Sequence, residues 1–226
     1  MNFNLKDISL KGKGELIGKT ENLKINGISI DTRSIKKDDL FVALRGSSND
    51  GHSFINEAEK KGASSFVVEK HIQTIKPYIL VEDSYRFLDT LGKEKRKEFK
   101  GNMICITGSN GKTTTKEIIY SILNPLGSCH ETYGNQNNQL GVPLTLCFLD
   151  EEHIFSVVEI GSNSPGEIDY LAKMVKPKLA LITNAANSHL KDLGSIENVA
   201  KEKGSIIDHV EKGGFVILPR DSSFYD

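Results

Sequence analysis

The stretch Ile104-Cys105-Ile106-Thr107-Gly108-Ser109-Asn110-Gly111-Lys112-Thr113-Thr114-Thr115 constrains this chain more than any other. It reads as a short buried strand that enters a glycine loop and then a helix. That geometry suits a polyphosphate. Glycines let backbone N–H groups approach the oxygens, and a helix start offers unpaired N–H groups and the positive end of its dipole. Lys112 adds a point charge for the outer phosphates, and the Thr113 hydroxyl is placed to ligate magnesium. Gly108, Ser109, Asn110, Gly111, Lys112, Thr113 and Thr114 are therefore candidate nucleotide-binding residues. The strict P-loop pattern wants a glycine where Ile106 stands, so the loop is the shorter form Gly-x-x-Gly-Lys-Thr. A plain glycine turn before a helix is the competing reading. Strand, loop, lysine and threonine falling in order favour the nucleotide.

A loop of this kind needs a sheet to hold it, and 226 residues suffice for one large or two small cores. The net charge of −1 gives no electrostatic reason to expect nucleic acid or an anionic membrane as partner. No apolar run reaches membrane-spanning length, and the N-terminus lacks a signal-peptide core. Cys105, Cys129 and Cys147 are scattered among apolar residues and read as reduced core residues of a cytoplasmic protein.

Residues 1–100 read as a small α/β domain. Strands are expected at Gly27–Ile30, Leu40–Leu44, Ser64–Val68 and Tyr78–Val81, with helices at Ser53–Lys61 and Ser84–Phe99. From Asn102 a strand–helix alternation predicts a parallel sheet covered by helices on both faces. Its strands are expected at Met103–Thr107, Ser128–Glu131, Ile154–Ile160, Leu179–Thr183 and Phe215–Leu218. Ser164-Pro165-Gly166-Glu167 reads as a capping box with proline at the first helical position. Ser195 is expected to cap a helix running to Val210.

In such sheets ligands bind beyond the carboxyl ends of the strands. One strand ends in Glu159, a carboxylate closing an apolar run, and with Thr113 and nucleotide phosphates it would make a reasonable magnesium site. Another ends at Thr183-Asn184, with His189 in the loop that follows. Residue type alone leaves several features open. Asp31-Thr32-Arg33-Ser34 and Asn49-Asp50-Gly51-His52 suit turns as well as a polar ligand. The amide-rich run from Gly134 to Pro143 suits a sugar, a peptide or a turn. Lys201-Glu202-Lys203 reads by default as a solvated helix face.

The loop resembles that of the Mur ligases, ATP-dependent amide-forming enzymes of peptidoglycan synthesis. The resemblance extends to Asp31-Thr32-Arg33, Asp39–Gly46, Asp50–Ile55, Gly134–Thr145, Glu159-Ile160-Gly161, Gly166-Glu167-Ile168, Ile182-Thr183-Asn184 and Ser188-His189-Leu190, in order along almost the whole chain. It is strongest to the members that join D-alanyl-D-alanine to UDP-N-acetylmuramoyl-tripeptide. The resemblance implies ATP and magnesium as cofactors and those two substrates as partners, with a monomeric chain, no nucleic acid and no membrane insertion. It implies a UDP-muramoyl-peptide-binding domain over 1–100, where Thr32 and Arg33 would act, and an ATP-binding domain over 101–226. Asn137 and Asn138 would line the substrate path. Lys112, Glu159, His189 and Lys203 would be catalytic; Thr113, Glu159, His189 and Lys203 would serve the metals, the lysine in carbamylated form.

Two departures from the family pattern stand out: Ser205 where glutamate is usual, and Pro219-Arg220-Asp221 in place of Asn-x-Asp. Family members also continue beyond this length. The chain is therefore expected to be an N-terminal domain plus a truncated ATPase domain without a C-terminal ligase domain, able to form phosphate and UDP half-sites without turnover. A non-catalytic binding fragment and a folylpolyglutamate-synthase-like ligase are the alternatives. The signatures of a GTPase switch, Asp-x-x-Gly and Asn-Lys-x-Asp, do not follow Lys112.

Overall fold

The computed structural model describes residues 3–46, 49–187 and 190–224, in two compact units over 1–94 and 95–226. The first unit opens with helix α1 (Leu5–Gly12), capped by the Asn4 carboxamide, which accepts from the Lys6 and Asp7 amides. Strands β1 (Glu15–Ile17), β2 (Gly27–Ser29) and β3 (Asp39–Val42) follow. Helix α2 (Ile55–Lys60), β4 (Ser65–Val68), β5 (Tyr78–Leu80) and α3 (Ser84–Glu98) complete it, the end of α3 falling in the second unit. The sheet order is β1-β5-β4-β3-β2, parallel except for β1, which runs antiparallel on β5. Phe41, Ile55, Ala58, Phe66, Val68 and Tyr78 form its core. α1 and β1 were not anticipated. One apolar stripe of eight residues and a three-residue edge strand are too short to show a period.

The second unit runs β6 (Asn102–Thr107), α4 (Lys112–Leu123), β7 (Cys129–Glu131), α5 (Gly141–Cys147), β8 (Phe155–Glu159) and α6 (Glu167–Val175). β9 (Leu179–Ile182), α7 (Leu190–Leu193), α8 (Ile196–Gly204) and β10 (Phe215–Ile217) follow. All five strands are parallel, in the order β10-β9-β6-β8-β7, so β6 is central. Right-handed crossovers then dictate the layers. The connection through α4 travels from β6 past β8 to β7, while those through α5, α6 and α8 travel back. α4 accordingly packs Ile119, Tyr120 and Leu123 on Ile104, Ile106 and Val157. Val142, Leu146, Ile168, Leu171 and Ile206 cover the other face, against Cys105, Val158, Ala180 and Ile182. Cys105, Cys129 and Cys147 are buried free thiols. None of the described helices is long and apolar enough to cross a membrane.

Three local expectations need correction. α6 starts at Glu167 and not at Pro165, because Gly166 takes the left-handed conformation (φ 85°) as its N-cap. The Glu167 carboxylate still reaches back to the amides of Asn163 and Ser164. Ser195 does cap α8, accepting from the Asn198 amide, but the α-helix ends at Gly204 and a 3₁₀ turn carries on to His209. Of Lys201–Lys203 only Lys201 is solvated. Glu202 and Lys203 are 7% and 1% exposed, because Glu202 accepts from the amides of Gly166 and Ile168 and so caps α6 from a neighbouring helix.

Arg96 performs the complementary task at the other end of α6. It donates to the carbonyls of Val175 and Lys176 and pairs with Glu211 at 2.8 Å. A cation there also complements the negative end of the helix dipole. Arg96→Ala should lower stability by about 2–3 kcal/mol, the cost of stranding those carbonyls; a loss below ~1 kcal/mol in denaturant titration would show that water replaces the guanidinium.

The His130 and His153 rings lie tilted by 49° with centroids 5.3 Å apart, and His130 Nδ1 lies 3.2 Å from Ser156 Oγ. Burial, and then the neighbouring His153, push the His130 pKa down to about 3. An unfolded histidine takes its proton near pH 6.5, so the unfolded state binds the extra proton first. The stability contributed by neutral His130 is complete above about pH 6.5 and is lost as pH falls toward 3. The denaturant midpoint should therefore drop further between pH 7 and pH 5 in the native chain than in His130→Gln. Equal drops would refute this.

Candidate active site

The carboxyl ends of β6, β8 and β9 lie side by side, and each supplies one part of the site. β6 runs into the glycine loop. Gly108 (φ 144°) and Gly111 (φ 78°) hold conformations that side chains disfavour. At Gly108 space is also denied, since a Cβ would lie 2.0 Å from Thr183 Oγ1. The end of β9 fixes the loop from beside it. Thr183 Oγ1 donates to the Asn110 carbonyl (2.6 Å), and the Asn184 side chain accepts from the Asn110 amide (3.0 Å). The Ser109 amide donates to the Asn184 carbonyl, while Ser109 Oγ exchanges hydrogen bonds with the backbone of Ala186. With no side-chain cap on α4, the amides of its first turn, Lys112 to Thr114, have no intrahelical acceptor. Lys112 folds back so that Nζ meets the carbonyls of Gly108 (2.7 Å) and Ser109 (3.3 Å). Burial lowers its pKa, and the nearby Glu159 partly offsets this.

β8 delivers Glu159, 1% exposed, to the flank of the loop. Its Oε2 accepts from Thr113 Oγ1 at 2.8 Å and its Oε1 from Asn137 Nδ2 at 2.7 Å. Both side-chain partners are neutral, so the buried charge still favours a cation. A carboxylate, a hydroxyl and nucleotide phosphates satisfy magnesium, which takes few protein ligands and keeps its waters; the residues fit that ion. The Asn137 backbone is tied to the end of β8, its carbonyl accepting from the Gly161 amide at 2.7 Å. Asn138 is exposed and turns its carboxamide oxygen to the amides of Leu140 and Gly141, at the start of α5.

Lys203 is buried, with Nζ donating to Ser162 Oγ at 2.8 Å. Desolvation first, and then Lys112, lower its pKa to about 8. His189 lies outside the described residues. Thr32 and Arg33 belong to the first unit. Thr32 is buried and its carbonyl accepts from Lys61 Nζ. The exposed Arg33 grips Asp31 through Nε and Nη2, which holds the Asp31 carboxyl below the usual range. In the same unit His52 Nδ1 lies 2.6 Å from Asp50 Oδ1, and its Nε2 accepts from the Glu69 amide. Asp50 caps the short 3₁₀ turn Gly51–Phe54, so this polar segment is built as a turn.

Thr132, Ser162 and Lys116 also shape this sheet edge and were not foreseen. Their residue types carry no signal of it, unlike Thr183-Asn184, which closes a strand beside a glycine loop.

Fold and loop define a class: a parallel α/β domain whose central strand enters a glycine-rich phosphate loop. Comparison narrows it. A model described as the Mur ligase middle domain matches residues 106–226, and one described as the Mur ligase family catalytic domain matches 24–93. The chain belongs to the Mur ligase family. It is 39% identical over 225 residues to a UDP-N-acetylmuramoyl-tripeptide–D-alanyl-D-alanine ligase of Buchnera aphidicola, covering 100% of this chain and 49% of that protein. The protein of the same name in Bacillus subtilis is 37% identical, with 96% and 48% covered. The crystal structure of MurF from Acinetobacter baumannii superposes with a TM-score of 0.87 at 34% identity, covering 99% of this chain and 50% of that one. MurF ligase from Thermotoga maritima, solved in complex with ADP, gives 0.73 at 33%, covering 89% and 46%. The chain spans about half the length of the curated relatives it matches.

Gly108→Ala should damage the loop far more than Gly111→Ala, where nothing lies within 4 Å of an added Cβ. Strain at a positive φ costs about 1–2 kcal/mol; at Gly108 the collision with Thr183 adds to it. Melting temperatures of the two variants check this, and equal losses would contradict the Thr183 contact.

Proposed function

We propose that this chain forms the nucleotide- and precursor-binding part of an ATP-dependent amide ligase that adds D-alanyl-D-alanine to UDP-N-acetylmuramoyl-tripeptide. The observation that carries the reading is the buried Glu159 bonded to Thr113 in the first turn after the phosphate loop. The names of the relatives support the substrate assignment. In this reading residues 1–100 hold the UDP-muramoyl peptide, with Thr32 and Arg33 on that path, and residues 101–226 hold ATP. The chain works in the cytoplasm as a monomer on soluble precursors, and neither nucleic acid nor membrane insertion enters its action.

The reaction begins with transfer of the terminal phosphoryl group of ATP to the carboxylate of the tripeptide, giving an acyl phosphate. The amine of D-alanyl-D-alanine then attacks the acyl carbon, and the tetrahedral intermediate expels phosphate. Positioning and charge neutralisation are most of what a protein supplies to such a step. The loop and first-turn amides orient the phosphates, and Lys112 neutralises charge on the outer ones. Thr113 and Glu159 would hold magnesium, which supplies further neutralisation of the transferred group. Asn137 orients Glu159, and Asn138 lies beyond it on the substrate path. Lys203 is suited to carbamylation, because a lysine with a pKa of about 8 presents neutral amine near physiological pH. The carbamate and His189 would serve a second magnesium.

Calorimetric titration with magnesium and ADP tests the nucleotide site: Lys112→Ala should bind at least ~30-fold more weakly, the loss of about 2 kcal/mol of charge-assisted contact. Equal affinity would overturn the site. Mass spectrometry of a reaction with ATP, magnesium, UDP-muramoyl-tripeptide and D-alanyl-D-alanine tests the activity. A pentapeptide product missing from the Lys112→Ala control establishes it in this chain. A chain that binds neither ADP nor the UDP-tripeptide refutes the reading.

A further inference from the structure

We propose that Lys116 is a positioning residue that sets Glu159 from behind, through Thr132. The proposal rests on the nucleotide-site reading above. Lys116 is 1% exposed. Its ammonium donates to the Thr132 carbonyl at 2.7 Å and forms ion pairs with Glu117 Oε1 at 2.8 Å and Glu131 Oε2 at 3.0 Å. Burying an ion pair is commonly no better for stability than an apolar residue of similar volume. What the lysine supplies here is a fixed distance between α4 and the end of β7.

That distance matters because of what Thr132 does next. Thr132 is fully buried, its amide donates to the Val157 carbonyl, and its Oγ1 accepts from the Glu159 amide at 3.0 Å. The Glu159 carboxylate returns to α4 at Thr113, three residues before Lys116 and on the same side of the helix. The contacts form a closed circuit: Thr113 to the carboxylate, its amide to Thr132, and Thr132 to Lys116. One helix therefore grips both ends of the glutamate, directly at the carboxylate and through one intermediate at the backbone. Groups that orient a metal ligand from behind typically change metal affinity by 10–100-fold when removed.

The test compares Lys116→Met, Lys116→Arg and Thr132→Val in the full 226-residue chain. Residue-resolved amide exchange should show the Glu159 N–H exchanging at least ~10-fold faster in Lys116→Met, with protection in the middle of β6 retained. ADP affinity without magnesium should stay within ~2-fold of the native chain, while the gain on adding magnesium should shrink at least ~10-fold. Lys116→Arg should restore most of both. Should Lys116→Met not fold, Thr132→Val, which removes only the hydroxyl facing Glu159, must give the same two changes. Unchanged Glu159 exchange and an unchanged magnesium gain in a folded variant overturn the proposal, even if the melting temperature falls. If the native chain does not bind ADP, the nucleotide reading fails, and the exchange measurement still decides whether Lys116 holds Glu159.

Discussion

A glycine loop has no shape of its own, and the one at residues 108–111 takes its shape from the end of β9. Thr183 occupies the space that a side chain on Gly108 would need, and Asn184 binds both the amide and the carbonyl of Asn110. Everything else in the site presupposes this clamp. The β6–β9 register sets where Thr183 stands, and the β6–β8 register sets where Glu159 stands. A slip of one residue in either pairing would turn these side chains to the opposite face. The apolar residues of β6, β8 and β9 therefore do more than fill a core: they fix the relative height of three strand ends.

The same sheet edge concentrates buried charge. Glu159, Lys116, Glu202 and Lys203 are each under 9% exposed, an arrangement that stability alone disfavours. Backbone groups absorb part of the cost, as where Glu202 satisfies two amides of α6 and Lys116 a carbonyl after β7. Two members stay less balanced. Lys203 has a neutral hydroxyl as its hydrogen-bond acceptor and a lowered pKa, and Glu159 has neutral side-chain donors. A change of protonation comes easily at Lys203, and binding of a cation at Glu159.

What could be read from the amino acids divides along the same lines. The loop was legible because each of its residue types answers one local demand: glycine for positive φ, lysine for charge, threonine for a hydroxyl. The strands were legible from short, mainly apolar runs such as Phe-Ser-Val-Val at β8 and Met-Ile-Cys-Ile at β6. The burial of Lys116 and Lys203 was not, because a lysine in a helix is ordinarily solvated, and the partners of these two, Thr132 after β7 and Ser162 after β8, are distant in sequence. Gly166 misled for a related reason. Ser-Pro-Gly-Glu satisfies the pattern of a helix start, yet the distant Glu202 supplies the cap and lets the helix begin later.

The clamp also orders events as the chain is made. Asn110 and Ser109 depend on partners 73 to 77 residues further along. At a synthesis rate of roughly 5–20 residues per second, the glycine loop therefore emerges about 4–15 s before the residues that shape it. β6 meets the same delay, since both its neighbours in the sheet, β8 and β9, follow it in the chain. Pairings this distant in sequence are slow to close and leave apolar strands uncovered meanwhile. The glycine loop of the second unit thus takes form only after β9 has been made, although β6 is the first strand of that unit.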